Sequence, residues 1–193
     1  GGADATTTGN VVNTGVFYAG TSDGSFSLGG DFVNTGTFHA QTGNFRFVGG
    51  GHQTSAGALF SNVRITKSLH SAIELSASTT ILGALEMNGS DGVLSIPTGV
   101  HLTVLGATNA LAANDIVLSD GTVHFVGNAT TTGSFDAGSA NVLFSGSYEN
   151  AGTFTPGFGV VTTTGLFRNL GTFNGGAGQL VLIGGMSSSG IFN

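Results

Sequence analysis

The chain has 193 residues, of which 35 are glycine, only 7% are charged and none is cysteine. Typical domains contain about 25% charged residues and about 7% glycine, so this composition favours short strands and tight turns over helices. A net charge of −6 with only four cationic residues does not suit a run of phosphates, and we expect no nucleic-acid partner. Without cysteine the chain can form neither disulfides nor thiolate metal sites, and without a run of 18 apolar residues we expect no membrane insertion.

The pattern Asn-x-Gly-x-Phe recurs at both ends of the chain. Full copies begin at Asn13, Asn34, Asn150 and Asn169, and shorter Gly-x-Phe copies end at Phe135 and Phe192. The first two glycines of the motif are 21 residues apart, and the last four follow at steps of 19. A fixed period near 20 residues is typical of a solenoid, in which one supersecondary unit is repeated and stacked.

Taken in order, the chain begins its first coil almost at once, because residues 6–17 align without gaps with residues 162–173. Residues 25–30 and 44–50 alternate apolar and polar side chains and end in paired glycines, which predicts a half-buried strand followed by a corner. Residues 144–146 and 180–185 are predicted to fill the same strand position late in the chain.

Between Gly50 and Gly121 the motif fades, but strand signals continue. We predict strands at 62–66, 72–75, 80–87, 93–96, 101–105, 116–118 and 122–126. If Gly57 is a degenerate copy of the motif glycine, the interval from Gly57 to Gly133 divides into four steps of about 19 residues. No segment has the three-and-four spacing of apolar residues that predicts a helix.

These patterns predict an all-β, single-domain, right-handed parallel β-helix (β-solenoid) of about ten coils. It would form one continuous unit over residues 1–193, with regular coils at 6–60 and 122–193 and degenerate coils at 61–121. Phenylalanine would stack on phenylalanine and asparagine on asparagine in successive coils, because aromatic rings exclude water and amides can donate and accept along the axis. The expected ladder residues are Asn13, Asn34, Asn150 and Asn169, with Phe17, Phe38, Phe135, Phe154, Phe173 and Phe192.

The short period and the Asn-x-Gly motif resemble the haemagglutination-type repeats of filamentous haemagglutinin and related secreted β-helical adhesins. A second resemblance is to units of long bacterial surface proteins. It rests on residues 47–57 and 60–65, which read as a strand ending in glycines, a turn with Gln53 and an apolar strand. The resemblance implies an exported bacterial surface or matrix protein. It implies no catalytic residue.

The sequence predicts no enzymatic activity and no cofactor. His39, His52, His70, His101 and His124 have no ligand-pair spacing, and the chain lacks the Asp-containing nonapeptides of calcium-binding β-helices, so we expect no metal. Alternation places Glu74 and Glu86 on outward faces near Asp91, Arg64 and Lys67, where solvated charges are ordinary. Thr6–Thr8, Thr130–Thr132 and Thr162–Thr164 leave open an ice-binding or carbohydrate-binding solenoid.

The hypothesis that this chain forms filaments comes from its two ends. A solenoid exposes strand edges at its ends, and this sequence shows no helix, charge run or proline that would cover them. Joining residue 193 to residue 1 of a second copy would place Ser188 about 18 residues before the next Asn13, close to the native step. We therefore expect a head-to-tail homopolymer, whose predicted joint comprises Met186, Ser189, Gly190, Ile191 and Phe192 against Thr6, Val11 and Val12.

The alternative is a fragment of a long β-helical surface adhesin, whose neighbouring coils cover the same edges. In either case the glycine-, serine-, threonine- and asparagine-rich surface and the absence of cysteine lead us to expect an extracellular or cell-surface location. Cell-surface or matrix glycans are further candidate partners.

Overall fold

The structure, a computed structural model, describes residues 4–19, 24–67, 71–88, 92–110, 115–118 and 120–193, with only the backbone of 115–118. Within these ranges the secondary structure is entirely strands and turns, because alternating apolar residues are interrupted every few positions by glycine, asparagine or serine. The first ten strands are β1 (Ala5–Thr7), β2 (Val11–Asn13), β3 (Val16–Tyr18), β4 (Ser25–Leu28), β5 (Phe32–Asn34), β6 (Thr37–His39), β7 (Asn44–Gly49), β8 (Gln53–Ser55), β9 (Leu59–Phe60) and β10 (Asn62–Lys67). The next ten are β11 (Ser71–Leu75), β12 (Thr79–Ile81), β13 (Leu85–Met87), β14 (Gly92–Ile96), β15 (His101–Val104), β16 (Thr108–Ala110), β17 (Asp115–Leu118), β18 (Thr122–Phe125), β19 (Ala129–Thr131) and β20 (Ser134–Asp136). The last nine are β21 (Asn141–Phe144), β22 (Tyr148–Asn150), β23 (Thr153–Thr155), β24 (Val160–Thr163), β25 (Phe167–Asn169), β26 (Thr172–Phe173), β27 (Gln179–Leu182), β28 (Met186–Ser188) and β29 (Ile191–Phe192).

The strands wind around three faces. Every third strand, from β1 to β28, forms the ten-stranded parallel sheet that we call face 1, and the strands from β2 to β29 form the ten-stranded face 2. Face 3 comprises β3 and β6, followed by a seven-stranded sheet from β9 to β27. The two parts belong to one face, because the rings of Phe38 in β6 and Phe60 in β9 pack 5.3 Å apart. This architecture, about nine turns, confirms the predicted all-β parallel β-helix; its right-handed sense stays a prediction.

The core lies along the axis, where alternate side chains of all three faces meet. The core is aromatic toward each end of the solenoid and aliphatic in the middle coils. The buried aromatic side chains of the two halves are Phe32, Phe45, Phe47 and Phe60, then Phe125, Phe135, Phe144, Tyr148, Phe154, Phe167 and Phe173. The two aromatic segments are separated by Ile65, Ile73, Ile81, Leu85, Leu94, Leu102 and Val104.

Coil length is not constant. Ala129 pairs with Tyr148, a step of 19 residues, whereas Leu85 pairs with Thr108, a step of 23. The middle coils are longer partly because β11 and β14 on face 2 have five residues each, where β20 and β23 have three. The division of the middle of the chain into four steps of 19 is therefore wrong. The predicted strand over 80–87 is also wrong as a single element, since a corner at 82–84 separates β12 from β13.

The two groups of Asn-x-Gly-x-Phe copies occupy different corners. In the first two coils the motif runs from β2 into β3 and from β5 into β6, which is the corner from face 2 to face 3. In the last coils it runs from β22 into β23 and from β25 into β26, which is the corner from face 1 to face 2. The strands at 144–146 and 180–185 follow the motif directly, as β4 and β7 do, but because the motif has changed corner they lie on face 3 and not on face 1.

Candidate functional site

One outward row on face 1 contains five charged side chains. The parallel register places Ser27, Arg46, Arg64 and Glu86 side by side, and continues through Asn109 and Thr130 to Glu149 and Arg168. The Nε of Arg64 donates to Glu86 Oε2 at 2.8 Å, and Arg168 Nη1 donates to Glu149 Oε2 at 2.9 Å. Both pairs are substantially exposed, where an ion pair contributes about 0–1 kcal/mol. Four of the five charges in this row are therefore paired and solvated, whereas the Nε of Arg46 is buried without a hydrogen-bond partner among the described residues.

The carboxylates considered for catalysis do not converge. Glu74 points outward from β11 on face 2, whereas Glu86 lies on face 1 in the ion pair with Arg64. Asp91 lies outside the described residues. Catalysis of glycoside or polysaccharide cleavage by two carboxylates needs them a few ångströms apart across one bond, and Glu74 and Glu86 do not offer that arrangement.

The histidines are equally dispersed. His39 stacks on Tyr18 with ring centroids 4.6 Å apart, and His124 Nε2 lies 2.8 Å from Ser145 Oγ. His52 and His101 are exposed at separate positions, and His70 lies outside the described residues. Within the described ranges no three metal-ligating side chains come together.

Most corner asparagines and aspartates have a structural partner in the next coil. The side-chain oxygens of Asp4, Asp31, Asn62 and Asn128 accept from the backbone N–H of Ser25, Thr54, Ala84 and Ser147 at 2.7–3.0 Å. A corner breaks the regular ladder of strand hydrogen bonds, and these side chains satisfy amides that would otherwise remain unpaired.

The threonine triplets do not form one continuous row. Thr6 and Thr130 lie on face 1, several coils apart, whereas Thr162 lies on face 3. The outward row between Thr6 and Thr130 contains Arg46, Arg64 and Glu86. A flat surface-binding array requires threonine in adjacent coils on one face, and the triplets do not meet that requirement.

Lys67 is the one charged residue buried among the described side chains. It is 1% exposed at the end of β10, and its Nζ donates to the carbonyl oxygen of Gly51 at 2.7 Å. Burial lowers the pKa of Lys67 from 10.5 to about 8, partly opposed by the negative charge of Asp31. Sequence reasoning did not assign Lys67 to the interior, although the alternation Val63, Ile65, Lys67 within β10 was a signal that it points inward.

We expect Lys67→Met to alter the pH dependence of stability. Between pH 8 and 10.5 the unfolded wild-type chain binds a proton at Lys67 that the folded chain does not, so wild-type stability rises across this window. Below pH 8 both states are protonated and the full cost of burying the charge remains. Relative to that of Lys67→Met, the free energy of unfolding of the wild type should therefore rise by roughly 3 kcal/mol between pH 7 and 10.5.

Urea unfolding of both proteins at several pH values measures this difference, and any contribution of the buried Tyr148 phenol cancels because both proteins retain it. Arg168→Met is the control, since it removes an exposed cation and should show no such trend. A difference between wild type and Lys67→Met that does not change with pH would show that the amine is hydrated in the folded state.

Two asparagine ladders run along the axis with the same direction of donation. The Nδ2 of Asn13 donates to Asn34 Oδ1 at 2.7 Å and to the Thr37 carbonyl at 3.0 Å. Near the other end, the Nδ2 of Asn150 donates to Asn169 Oδ1 at 2.8 Å and to the Thr172 carbonyl at 3.0 Å. Each amide therefore points its N–H groups toward the C-terminal side, where the next coil accepts.

The phenylalanines of the motif also form two ladders. Phe17 and Phe38 stack on face 3 at 5.8 Å. On face 2 the centroid distances are 5.2 Å from Phe135 to Phe154, 5.5 Å from Phe154 to Phe173 and 5.1 Å from Phe173 to Phe192. Rings at these distances are within the range of favourable aromatic contact.

The residues of the predicted joint lie at the two edges of the solenoid. Met186, Ile191 and Phe192 are exposed on β28 and β29, with Ser189 and Gly190 in the turn between them. At the opposite edge Thr6 and Val12 point outward, and Val11 is half-buried on β2. Sequence reasoning did not find that the motif crosses a different corner at each of these edges, because the motif alone does not reveal which corner it occupies.

The exposed edge of face 1 presents unpaired donors. The N–H of Tyr148 donates to the Leu166 carbonyl at 2.9 Å, and that of Phe167 donates to the Gly185 carbonyl at 3.1 Å, each toward the following coil. The same alternation directs the N–H groups of Met186 and Ser188 outward along the axis.

No helix within the described ranges is long and apolar enough to cross a bilayer. The chain matches no protein-family model, no curated protein and no solved structure.

Proposed function

We propose that this chain is a non-enzymatic structural protein of the bacterial exterior whose solenoids stack head to tail into a filament. The observation that supports this most directly is the loss of burial in the last coil. Met186 and Phe192 are 51% and 44% exposed, whereas their register partners one coil earlier, Phe167 and Phe173, are 0% and 7% exposed. The core therefore reaches the edge without an apolar or polar cover among the described residues.

Stacking a further coil on this edge has two physical gains. It would bury apolar side chains such as Met186 and Phe192, at about 1.5–3 kcal/mol for each fully buried side chain. It would also pair the backbone N–H groups of β28 with carbonyl acceptors, as every preceding strand of face 1 is paired. A contact between one end of a subunit and the opposite end of another does not close on itself, and it generates a filament.

The described parts of the two end coils have almost no charge. In residues 4–18 Asp4 is the one charged side chain, and residues 179–193 have none. Because screening acts on charges, assembly through these edges should depend little on salt concentration.

The resemblance to filamentous-haemagglutinin-type adhesins suggests the second candidate, in which further coils of the same polypeptide cover these edges. The repeated coils of the solenoid support both candidates equally. Behaviour of the isolated chain separates them, because only the filament proposal expects copies of residues 1–193 to assemble with each other.

The first experiment is negative-stain electron microscopy of the purified chain, together with light-scattering mass over a range of concentrations. Unbranched fibres of uniform width, with a mass that rises with concentration, are the expected result. A monomer that persists at high concentration would contradict the filament and favour the adhesin segment.

Ser188→Pro tests whether the edge of β28 makes the contact. The Ser188 N–H points away from the preceding coil, so proline removes no internal backbone hydrogen bond but places its ring where a stacked strand would pair. We expect monomers with nearly unchanged thermal stability. Ser188→Thr, which keeps both the N–H and the hydroxyl, is the matched control and should still form fibres; fibres of normal length from Ser188→Pro would rule out pairing at this edge.

Deleting residues 186–193 is a weaker experiment. It removes β28 and β29 but leaves β25, β26 and β27 as a new open edge with the same kind of buried side chains.

A further inference from the structure

We infer that the joint between two copies is rotated by one face, so that β1, β2 and β3 of one copy pair with β27, β28 and β29 of the preceding copy. This inference rests on the proposed filament and specifies its geometry. Face 1 of the following copy would continue face 3 of the preceding one, face 2 would continue face 1, and face 3 would continue face 2.

The motif crosses different corners at the two edges of the solenoid. At the C-terminal edge the motif crosses from face 1 to face 2, through Ser188, Gly190 and Phe192. At the N-terminal edge it crosses from face 2 to face 3, through Asn13, Gly15 and Phe17. Only a one-face rotation superimposes the two corners and lets one motif stack on the other.

The polar ladders donate in one direction, toward the C-terminal edge. The Asn169 Nδ2 lies 3.5 Å from Ser188 Oγ and donates to the Ile191 carbonyl at 3.1 Å, so the ladder reaches Ser188. Asn13 Oδ1, at the other edge, accepts the Gly15 N–H at 3.2 Å and retains a second lone pair. In the rotated joint the Ser188 hydroxyl donates to that oxygen, in the same direction as each asparagine of both ladders.

The inward side chains of the two edges also fit each other in the rotated joint. The rotated joint places Phe192 over Phe17, which continues the column of Phe154 and Phe173 into that of Phe17 and Phe38. On the adjoining face Leu180 and Leu182 of β27 meet Ala5 and Thr7 of β1.

An unrotated stack lacks these matches. It places β2, which carries Asn13, against the aromatic strand β29, and places β1 against β28. The Ser188 hydroxyl would then lose Asn13 Oδ1 as an acceptor, and the phenylalanine column would end at Phe192. Leaving such a polar group unpaired in a dry interface costs about 1–3 kcal/mol.

The rotated joint follows the winding of the chain itself. The coil ends with β29 on face 2, and the next strand along the same path lies on face 3, where β1 of the following copy would pair. Each subunit would advance the filament by about 46 Å, at ~4.8 Å per coil, with a rotation of about one third of a turn. An unrotated stack would advance by a similar distance without rotation.

Two engineered cysteine pairs distinguish these joints, since the chain contains no native cysteine. Continuing the pairing of Asn169 with Ser188 places Ser187 opposite Val12 in the rotated joint and opposite Thr6 in the unrotated one. All three side chains are exposed, and adjacent strands bring Cα atoms within disulfide range. After mild oxidation of filaments, V12C/S187C should give a ladder of covalent oligomers on a non-reducing gel, whereas T6C/S187C should stay largely monomeric.

Gly15→Ala is an independent test of the same joint. A Cβ at Gly36, Gly152, Gly171 or Gly190 would collide with the motif carbonyl of the preceding coil, but a Cβ at Gly15 meets nothing within 4 Å. In the rotated joint Gly15 stacks on Gly190, so the added methyl group should abolish fibres while the melting temperature of the monomer stays within about 2 °C of wild type. Thr14→Ala, at the neighbouring exposed position, is the control and should assemble normally.

The outcomes separate the two proposals. Fibres that cross-link through T6C/S187C, or that form normally with Gly15→Ala, overturn the rotated joint and leave the filament standing. A parent chain that stays monomeric at every concentration overturns both the filament and its joint.

Discussion

Gly152→Val should destabilise the solenoid by more than about 4 kcal/mol, an exceptionally large loss that is typical of severe steric clashes. A Cβ at Gly152 would overlap the carbonyl oxygen of Gly133 and lie 2.6 Å from the carbonyl carbon of Thr132. Both obstacles are backbone atoms in the preceding coil, which cannot move without breaking the parallel ladder. For a chain of this size the melting temperature should fall by about 10 °C or more, as circular dichroism would measure.

Gly152 has no positive φ, so the effect comes from the close approach of two coils and not from backbone conformation. Ala151→Val is the matched control, because it adds the same kind of bulk one residue earlier at an exposed position. Gly15→Val is a second control, with the same motif position in the first coil but open space at its Cβ. Equal losses of stability in all three variants would contradict the steric explanation.

The damage from Gly152→Val should also be local. Each coil contacts mainly its neighbours, so the stability of a solenoid is approximately a sum of coil and interface terms. We expect faster amide hydrogen exchange in β20 to β29 than in β10 to β15. Uniform loss of protection along the chain would instead indicate that the solenoid unfolds as a single unit.

The sequence predicted the fold because its signals are local. Alternation in β10 and β14 and paired glycines after β7 specify a strand or a corner from a few neighbouring residues. The ladder positions followed from the period, since residues one coil apart meet when a strand stacks on its predecessor.

The assignment of motifs to faces could not be predicted in the same way. It depends on the accumulated length of every intervening corner and strand, and these vary: Asn44 pairs with Asn62 at a step of 18, whereas Leu85 pairs with Thr108 at a step of 23. Small differences of this kind sum over several coils to a shift of one face. Because of this shift, the motifs at the two edges stack on each other only after rotation.

Phe154→Ala should lower the free energy of unfolding by about 3–5 kcal/mol. The Phe154 side chain is fully buried, and its ring contacts Phe135 at 5.2 Å, Tyr148 at 5.5 Å and Phe173 at 5.5 Å. The surrounding strands are fixed by hydrogen bonds to coils on both sides, so the core cannot collapse into the space that the ring leaves. Urea unfolding, monitored by circular dichroism, measures the loss.

Phe158→Ala is the control, because Phe158 lies four residues away on a corner and is 75% exposed. It removes the same atoms from solvent-facing surface and should change stability by less than about 0.5 kcal/mol. The difference between the two variants measures how much the buried, stacked ring contributes to stability beyond the loss of a phenylalanine side chain as such. A loss below about 1 kcal/mol for Phe154→Ala would mean that Phe135, Tyr148 and Phe173 close the gap, and that the ladder tolerates a missing ring.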